Sequence, residues 1–297
     1  MMKNEKLFAW LAFAAVAFFW GTTFFAIRIG VRSFPPMLMA GFRHTIGGVL
    51  ICSYFLIRGY KIPNADSLKI FTIVGFCMLV IGNGLVTWAE IYISSGLAAL
   101  ICSLTPIWIV LINVAVNKDE KISKIAIAGL VVCFFAQLLI FNDNLKDFTN
   151  PNYTLGIIFI MIANLSWAIA MIYSKRQKEN VHALFGAGIQ MLIGGVMLDI
   201  IGTVKGEWVG LNPTSDGIWA LAYLLVFGSI IAYGAFMYVL KKLPTTIVST
   251  YSYINTIVAV ILGWLWLDEK LNAITGIAVL LTIAGVWMVN KSIKKSV

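Results

Sequence analysis

An arginine and a histidine, Arg43 and His44, stand side by side in a run, residues 33–48, that is otherwise apolar or small. Further along, Asn83, Thr87, Glu90 and Ser94 recur at i, i+4, i+7 and i+11, which puts them on one face of a helix. A guanidinium is a permanent cation with five donors, and a carboxylate accepts hydrogen bonds or carries a proton. Brought together away from water, the two would hold one another ionised. They could also exchange that partner for the carboxylate or ammonium of a small molecule. Whether the chain provides such a place depends on what surrounds them.

The surroundings are apolar. The 297 residues are 60% hydrophobic and only 12% charged, with a mean hydropathy of +0.91, whereas soluble domains carry about 25% charged residues. A helix needs roughly 20 apolar residues to cross a hydrocarbon core of about 30 Å. Ten stretches qualify: 7–29, 35–57, 68–92, 95–116, 123–141, 154–174, 182–204, 216–240, 245–267 and 271–290. The expected fold is an all-α integral membrane protein. The first stretch comes after Lys3 and Lys6 but runs to Ile27, longer than a signal-peptide core, and reads as a retained helix. Cys52, Cys77, Cys102 and Cys133 lie inside apolar spans without paired spacing, so no disulfide framework or metal site is expected.

The net charge of +9 is a topology signal. Of the 22 Lys and Arg residues, sixteen fall on the side of both termini, five fall opposite, and Arg43 lies within a span. By the positive-inside rule both termini are cytoplasmic, in the cell (inner) membrane, and no nucleic-acid partner is expected.

The chain also repeats. Residues 39–49, MAGFRHTIGGV, align without gaps to 186–196, GAGIQMLIGGV, at an offset of 147, which also pairs Trp20 with Trp167 and Arg28 with Lys175. Asp119-Glu120-Lys121 matches Asp268-Glu269-Lys270, and Ser103 matches Ser252, at an offset of 149. With five spans per half, residues 1–147 and 148–297, the second half enters the membrane inverted. Inverted repeats build secondary transporters whose site lies near the midplane between the halves.

These features resemble the EamA-type exporter branch of the drug/metabolite transporter superfamily. The resemblance rests on Trp20-Gly21 in span one, Pro36 to Arg43 in span two, WAEIYISSGLAALICSLTP (88–106) leading into span four, and the acidic-basic turns after spans four and nine. In that family span nine often carries a proline where this chain has Asn255. The resemblance implies a carrier that exports small metabolites, amino acids or drug-like compounds through a central cavity, with neither cofactor nor catalytic residues. A transferase acting within the membrane and a sensor working through a partner protein are the alternatives. No phosphate-cradling glycine loop, HExxH or GxSxG occurs.

Placement picks out the candidate site residues. Arg43 shares a small-residue stripe with Pro36, Ala40 and Gly47, so it points into the bundle; its repeat partner Gln190 has Ala187 and Gly194 in the same places. Asn83, Thr87 and Glu90 have apolar counterparts in the second half and serve only one of them. Trp20, Trp88, Trp167 and Tyr253 are candidate cavity aromatics that would also suit packing or an interfacial belt. Asp199 is expected as a solvated helix end. Spans five and ten are expected outside the cavity, as support or as a surface for a homodimer.

Overall fold

A computed structural model describes residues 3–116, 123–143, 150–177, 180–268 and 273–293. Asp119-Glu120-Lys121 and the Glu269-Lys270 part of the second turn lie outside the described residues. Among the described residues all regular structure is helical. The main helices are α1 Lys3–Gly30, α2 Pro36–Ile57, α3 Ala65–Ala89, α4 Ser95–Val116, α5 Lys124–Asp143, α6 Pro151–Arg176, α7 Ala183–Val204, α8 Ser215–Lys242, α9 Thr245–Trp266 and α10 Ala273–Ile293. Eight of them, all but α5 and α10, pass as membrane spans by length and composition. Large apolar side chains such as Leu50, Ile57, Val204 and Trp264 stay exposed, as a lipid-bathed surface requires.

Local chemistry sets the helix ends. Pro36 sits in the first turn of α2, where its missing N–H is harmless. Asn64 caps α3 through Ser67 N, Ser94 caps α4 through Leu97 N, and Thr214 caps α8 through Gly217 N. Ser94 therefore starts the next helix and does not extend the stripe of Asn83, Thr87 and Glu90.

Two devices go beyond the expectation of ten plain helices. Helices α3 and α8 each widen into a π-helical segment, Phe76–Gly84 and Leu224–Tyr233, placed at matching positions of the two repeats. Such segments release main-chain carbonyls, and here side chains take them up. Trp20 Nε1 on α1 donates to Gly228 O at 3.0 Å, and Ser166 Oγ on α6 donates to Cys77 O at 2.8 Å. Helix α4 breaks in mid-course, at Ser103–Leu104, and α9 breaks after its first turn, at Ser249–Thr250. The first break precedes Pro106, which cannot donate to Cys102 O; Thr105 Oγ1 donates there instead, at 2.7 Å. The second break lies ahead of Asn255, so the interruption in span nine sits elsewhere than the proline position.

The halves meet along α2 and α7. A Cβ on Gly48 would lie 2.3 Å from Leu192 N, and one on Gly195 would lie 2.3 Å from Thr45 N. Thr45 and Leu192 are 147 residues apart, as are Gly48 and Gly195, so the contact is reciprocal. Only glycine permits main chains this close. Helices α5 and α10 pack on one another, with Cys133 Sγ donating to Thr282 O at 3.7 Å.

Candidate functional site

Arg43 is 1% exposed. Its Nη2 donates to Asn83 Oδ1 in the π-helical turn of α3, and its Nε is buried without an acceptor among the described residues. Glu90, at the C-terminal cap of α3, is fully buried and attracts Arg43 electrostatically across the same interior. The Glu90 main-chain carbonyl accepts from Arg28 Nη1, a cation at a helix C-terminus. His44 bridges the two π-helical segments: its Nε2 lies 3.3 Å from Asn83 Oδ1 and its Nδ1 lies 3.3 Å from Ser229 Oγ. Thr87, also fully buried, donates within its helix to Asn83 O at 2.9 Å.

The corresponding place in the second half is neutral. Gln190 is 1% exposed, and its Oε1 accepts from Tyr233 Oη at 2.6 Å. Tyr233 closes the π-helical segment of α8 as Asn83 nearly closes that of α3.

Of these groups Asn83 lines a central cavity of about 80 Å³ formed by α1, α3, α4, α6 and α9, with Trp20, Thr105, Asn164, Trp167 and Asn255 among its other walls. That volume holds several waters, at roughly 10–15 Å³ each on this measure. A smaller pocket of about 20 Å³ adjoins it through Trp20, Thr23, Asn83 and Trp167, and reaches Arg43, His44 and Tyr233. Trp20 and Trp167 meet edge to face at 5.4 Å, and Phe236 and Tyr251 complete the aromatic cluster around Trp20 at 4.9 and 5.0 Å.

Of the residues expected from the sequence, Arg43, Asn83, Trp20, Trp167 and Asn255 line the two pockets, Thr87, Glu90 and Gln190 are buried without lining either, and three others sit elsewhere. Tyr253 packs with Cys133 and Ile107 on the α5 side, away from the cavity, and the ring lining the wall is Tyr251. Trp88 stands at the end of α3 with Lys205 Nζ 3.3 Å above its ring. Asp199 is not a solvated end: its Oδ2 accepts from Thr45 Oγ1 at 2.6 Å across the α2–α7 contact, and its Oδ1 is buried. Sequence reasoning misses Asn164, whose Nδ2 donates to Ile101 O at 2.8 Å and whose Oδ1, 2.5 Å from Thr105 Oγ1, shares that hydroxyl's single proton with Cys102 O, closing the break in α4. The Thr-Pro pair at 105–106 is the signal that could have found it. Asn255, with its amide turned to face acceptors, donates to Ala17 O at 2.6 Å and Tyr251 O at 3.1 Å.

Among the described residues no His, Cys, Asp and Glu cluster is arranged to hold a metal. The arrangement can bind a small molecule between aromatic walls and satisfy its polar groups through amides, hydroxyls and a guanidinium.

The EamA-like transporter family matches residues 7–142 and again 154–291. The uncharacterized inner membrane transporter YedA of Escherichia coli is 35% identical over 284 residues, covering 94% of this chain and 89% of YedA. The uncharacterized transporter YoaV of Bacillus subtilis is 24% identical, covering 94% of this chain and 95% of its own. A solved crystal structure 18% identical in sequence superposes with a TM-score of 0.68 over 94% of this chain and 95% of its own, a likeness of fold. The chain is an integral membrane protein with many apolar helices, and it belongs to the EamA-like transporter family.

Proposed function

We propose that the protein exports small metabolites, amino acids or drug-like compounds by alternating access, with Arg43 and the wall formed by Trp20, Asn83, Trp167 and Asn255 as the substrate site. The observation that carries this reading is the buried guanidinium at the border of an aromatic cavity. An intramembrane charge costs several kcal/mol and is retained where it faces a partner or a pathway, and Arg43 Nε has no acceptor among the described residues. The substrate on this reading presents a carboxylate or similar anion to Arg43 and an apolar body to the tryptophans. Glu90 balances the guanidinium when the site is empty.

The reading includes ten membrane helices in two inverted halves, 1–147 and 148–297, with both termini cytoplasmic. Reciprocal contacts support the inversion. Arg28 at the end of α1 caps the end of α3, and Lys175 near the end of α6 caps the end of α8, donating to Leu240 O at 2.8 Å and Lys241 O at 2.9 Å. The family pattern matches each half separately. Such halves move as bodies around a fixed site, and the α2–α7 glycine contact is their pivot. Helices α5 and α10 lie outside as support or as a homodimer surface.

The test is a thermal-shift screen of purified protein against amino acids, nucleosides and cationic drugs, because a ligand that binds the folded state raises its stability. Compounds that stabilise are then loaded into liposomes for counterflow. Stabilisation by carboxylate-bearing compounds, lost in Arg43→Gln, is the expected result. Stabilisation by cationic drugs alone would overturn the assignment of Arg43.

A further inference from the structure

A crevice of about 960 Å³ opens on the flank of the bundle between α1, α8 and α9. It is separate from the central cavity: the two share no lining residue. Its volume lies at the upper end of the roughly 300–1,000 Å³ usual for ligand pockets. On the α1 side its wall runs from Thr22 to Arg32, two residues past the end of the helix, and on α8 from Asp216 to Phe227. Ten or eleven residues at 1.5 Å rise are about 15 Å, half of a hydrocarbon core of about 30 Å and so the depth of one leaflet. The wall is apolar and aromatic over that depth, and charge appears only at one end, where Arg32 and Asp216 are both exposed. Neither is in an ion pair among the described residues. Trp219 and Trp266 flank the crevice, 72% and 64% exposed, in keeping with the depth of lipid headgroups.

We infer that this crevice is a binding site for a phospholipid with a zwitterionic aminoethyl phosphate headgroup, phosphatidylethanolamine. Its acyl chains lie along α1 and α8, its phosphate meets Arg32, and its ammonium meets Asp216. One cation and one anion at the mouth match a headgroup with one of each. A purely anionic headgroup would leave Asp216 opposed to the phosphate. A quaternary choline has no N–H to offer the carboxylate. The site lies at the α1 C-terminal side of the membrane, the outer leaflet on the proposed topology. It does not depend on which compound the central cavity carries.

The test is native mass spectrometry of the full chain, released from micelles containing equimolar phosphatidylethanolamine, phosphatidylcholine and phosphatidylglycerol. The wild type is expected to retain phosphatidylethanolamine preferentially. Arg32→Gln and Asp216→Asn should each reduce that retention about two- to fivefold, the effect of losing one exposed charge pair. Ala222→Phe, which fills the crevice between the charged mouth and its floor, should reduce retention of all three lipids. Equal retention of the three lipids by the wild type, unchanged retention in both charge variants, or unaffected binding to Ala222→Phe would each overturn the proposal.

Discussion

The two halves of the chain solve the same packing problem and differ in the charge they bury, since Arg43 and Glu90 of the first half have uncharged counterparts in the second. In the first, α2 sends Arg43 to Asn83 on the π-helical segment of α3; in the second, α7 presents Gln190 to Tyr233 on the π-helical segment of α8. The second arrangement is a closed neutral hydrogen bond, complete in itself. The first is open: it buries a cation, leaves Nε without an acceptor among the described residues and draws in His44. The comparison separates scaffold from site. What both halves share, namely the π-helical segments, the glycine crossing and the helix-end cations, holds the bundle together, and what one half alone possesses is where the proposed substrate site lies.

Making the halves alike should have the largest effect. Arg43→Gln is expected to lower counterflow by on the order of 10- to 100-fold, the worth of a hydrogen bond from a charged group at about 1.5–3 kcal/mol. Thermal stability should fall as well, since removing one member of a buried charge pair leaves the Glu90 carboxylate buried without the guanidinium that balances it. Gln190→Ala, on the neutral side, should be far milder in transport. Equal transport losses in the two variants would dissolve the distinction between the halves.

The shared scaffold should respond symmetrically. Gly48→Ala and Gly195→Ala each bring a methyl against main-chain nitrogen across the α2–α7 contact. Each is expected to cost about 1–3 kcal/mol, the range for overpacking, read as comparable falls in melting temperature. A large loss in one and none in the other would show that the contact is not reciprocal in strength.

A polar tether sharpens the comparison further, because its side chain has moved between helices. At the α4–α6 contact α6 supplies it, through Asn164 to the α4 main chain; at the α1–α9 contact α9 supplies it, through Asn255 to the α1 main chain. Asn164→Ala and Asn255→Ala should each cost about 1–3 kcal/mol by stranding buried groups. Asn164→Ala should be the worse of the two, since Asn164 both donates to Ile101 O and accepts from Thr105. The melting temperatures of the two variants decide it.

Much of this is legible in the sequence. Hydropathy locates the helices because the bilayer demands long apolar runs, and the 147-residue offset points to contacts such as Gly48 with Leu192. The burial of Arg43 is implied by its small-residue stripe. The π-helical segments are not legible, because a widened turn leaves no mark in an apolar run where nearly every position is already hydrophobic. One continuous helix over span nine would turn Tyr253 to the cavity rather than Tyr251. The break at Ser249–Thr250 resets the rotation of the helix beyond it, and two residues are about half a turn. Asn164 escapes notice because a lone amide in a span looks the same whether it closes a broken helix or faces a neighbour. Asp199 reads as solvated because it lies near a helix end, whereas Gly41 opens a gap in α2 that admits the carboxylate.

The smallest expected effect lies at the two ends of the α2–α7 pair, where the halves differ again. At the α2 N-terminus Glu207 Oε2 accepts from Met37 N and Leu38 N, both at 3.0 Å, so the loop after α7 caps the opposite half. A carboxylate there satisfies orphan amides and complements the helix dipole. The position 147 residues earlier is Tyr60, whose ring packs edge-on against Phe55 at 4.9 Å and near His182 at 6.3 Å. One end of the α2–α7 pair is thus held by hydrogen bonds and the other by aromatic packing. Glu207→Ala should cost about 1 kcal/mol, the usual loss of a cap, and Glu207→Gln less, since an amide oxygen still accepts. A cysteine introduced at Ser33 should become more reactive to a membrane-impermeant thiol reagent in Glu207→Ala, because the same loop covers it through Asn212 N to Ser33 O at 3.2 Å. Unchanged reactivity would mean that the loop stays in place without its carboxylate, and that the two ends are equivalent in strength though not in chemistry.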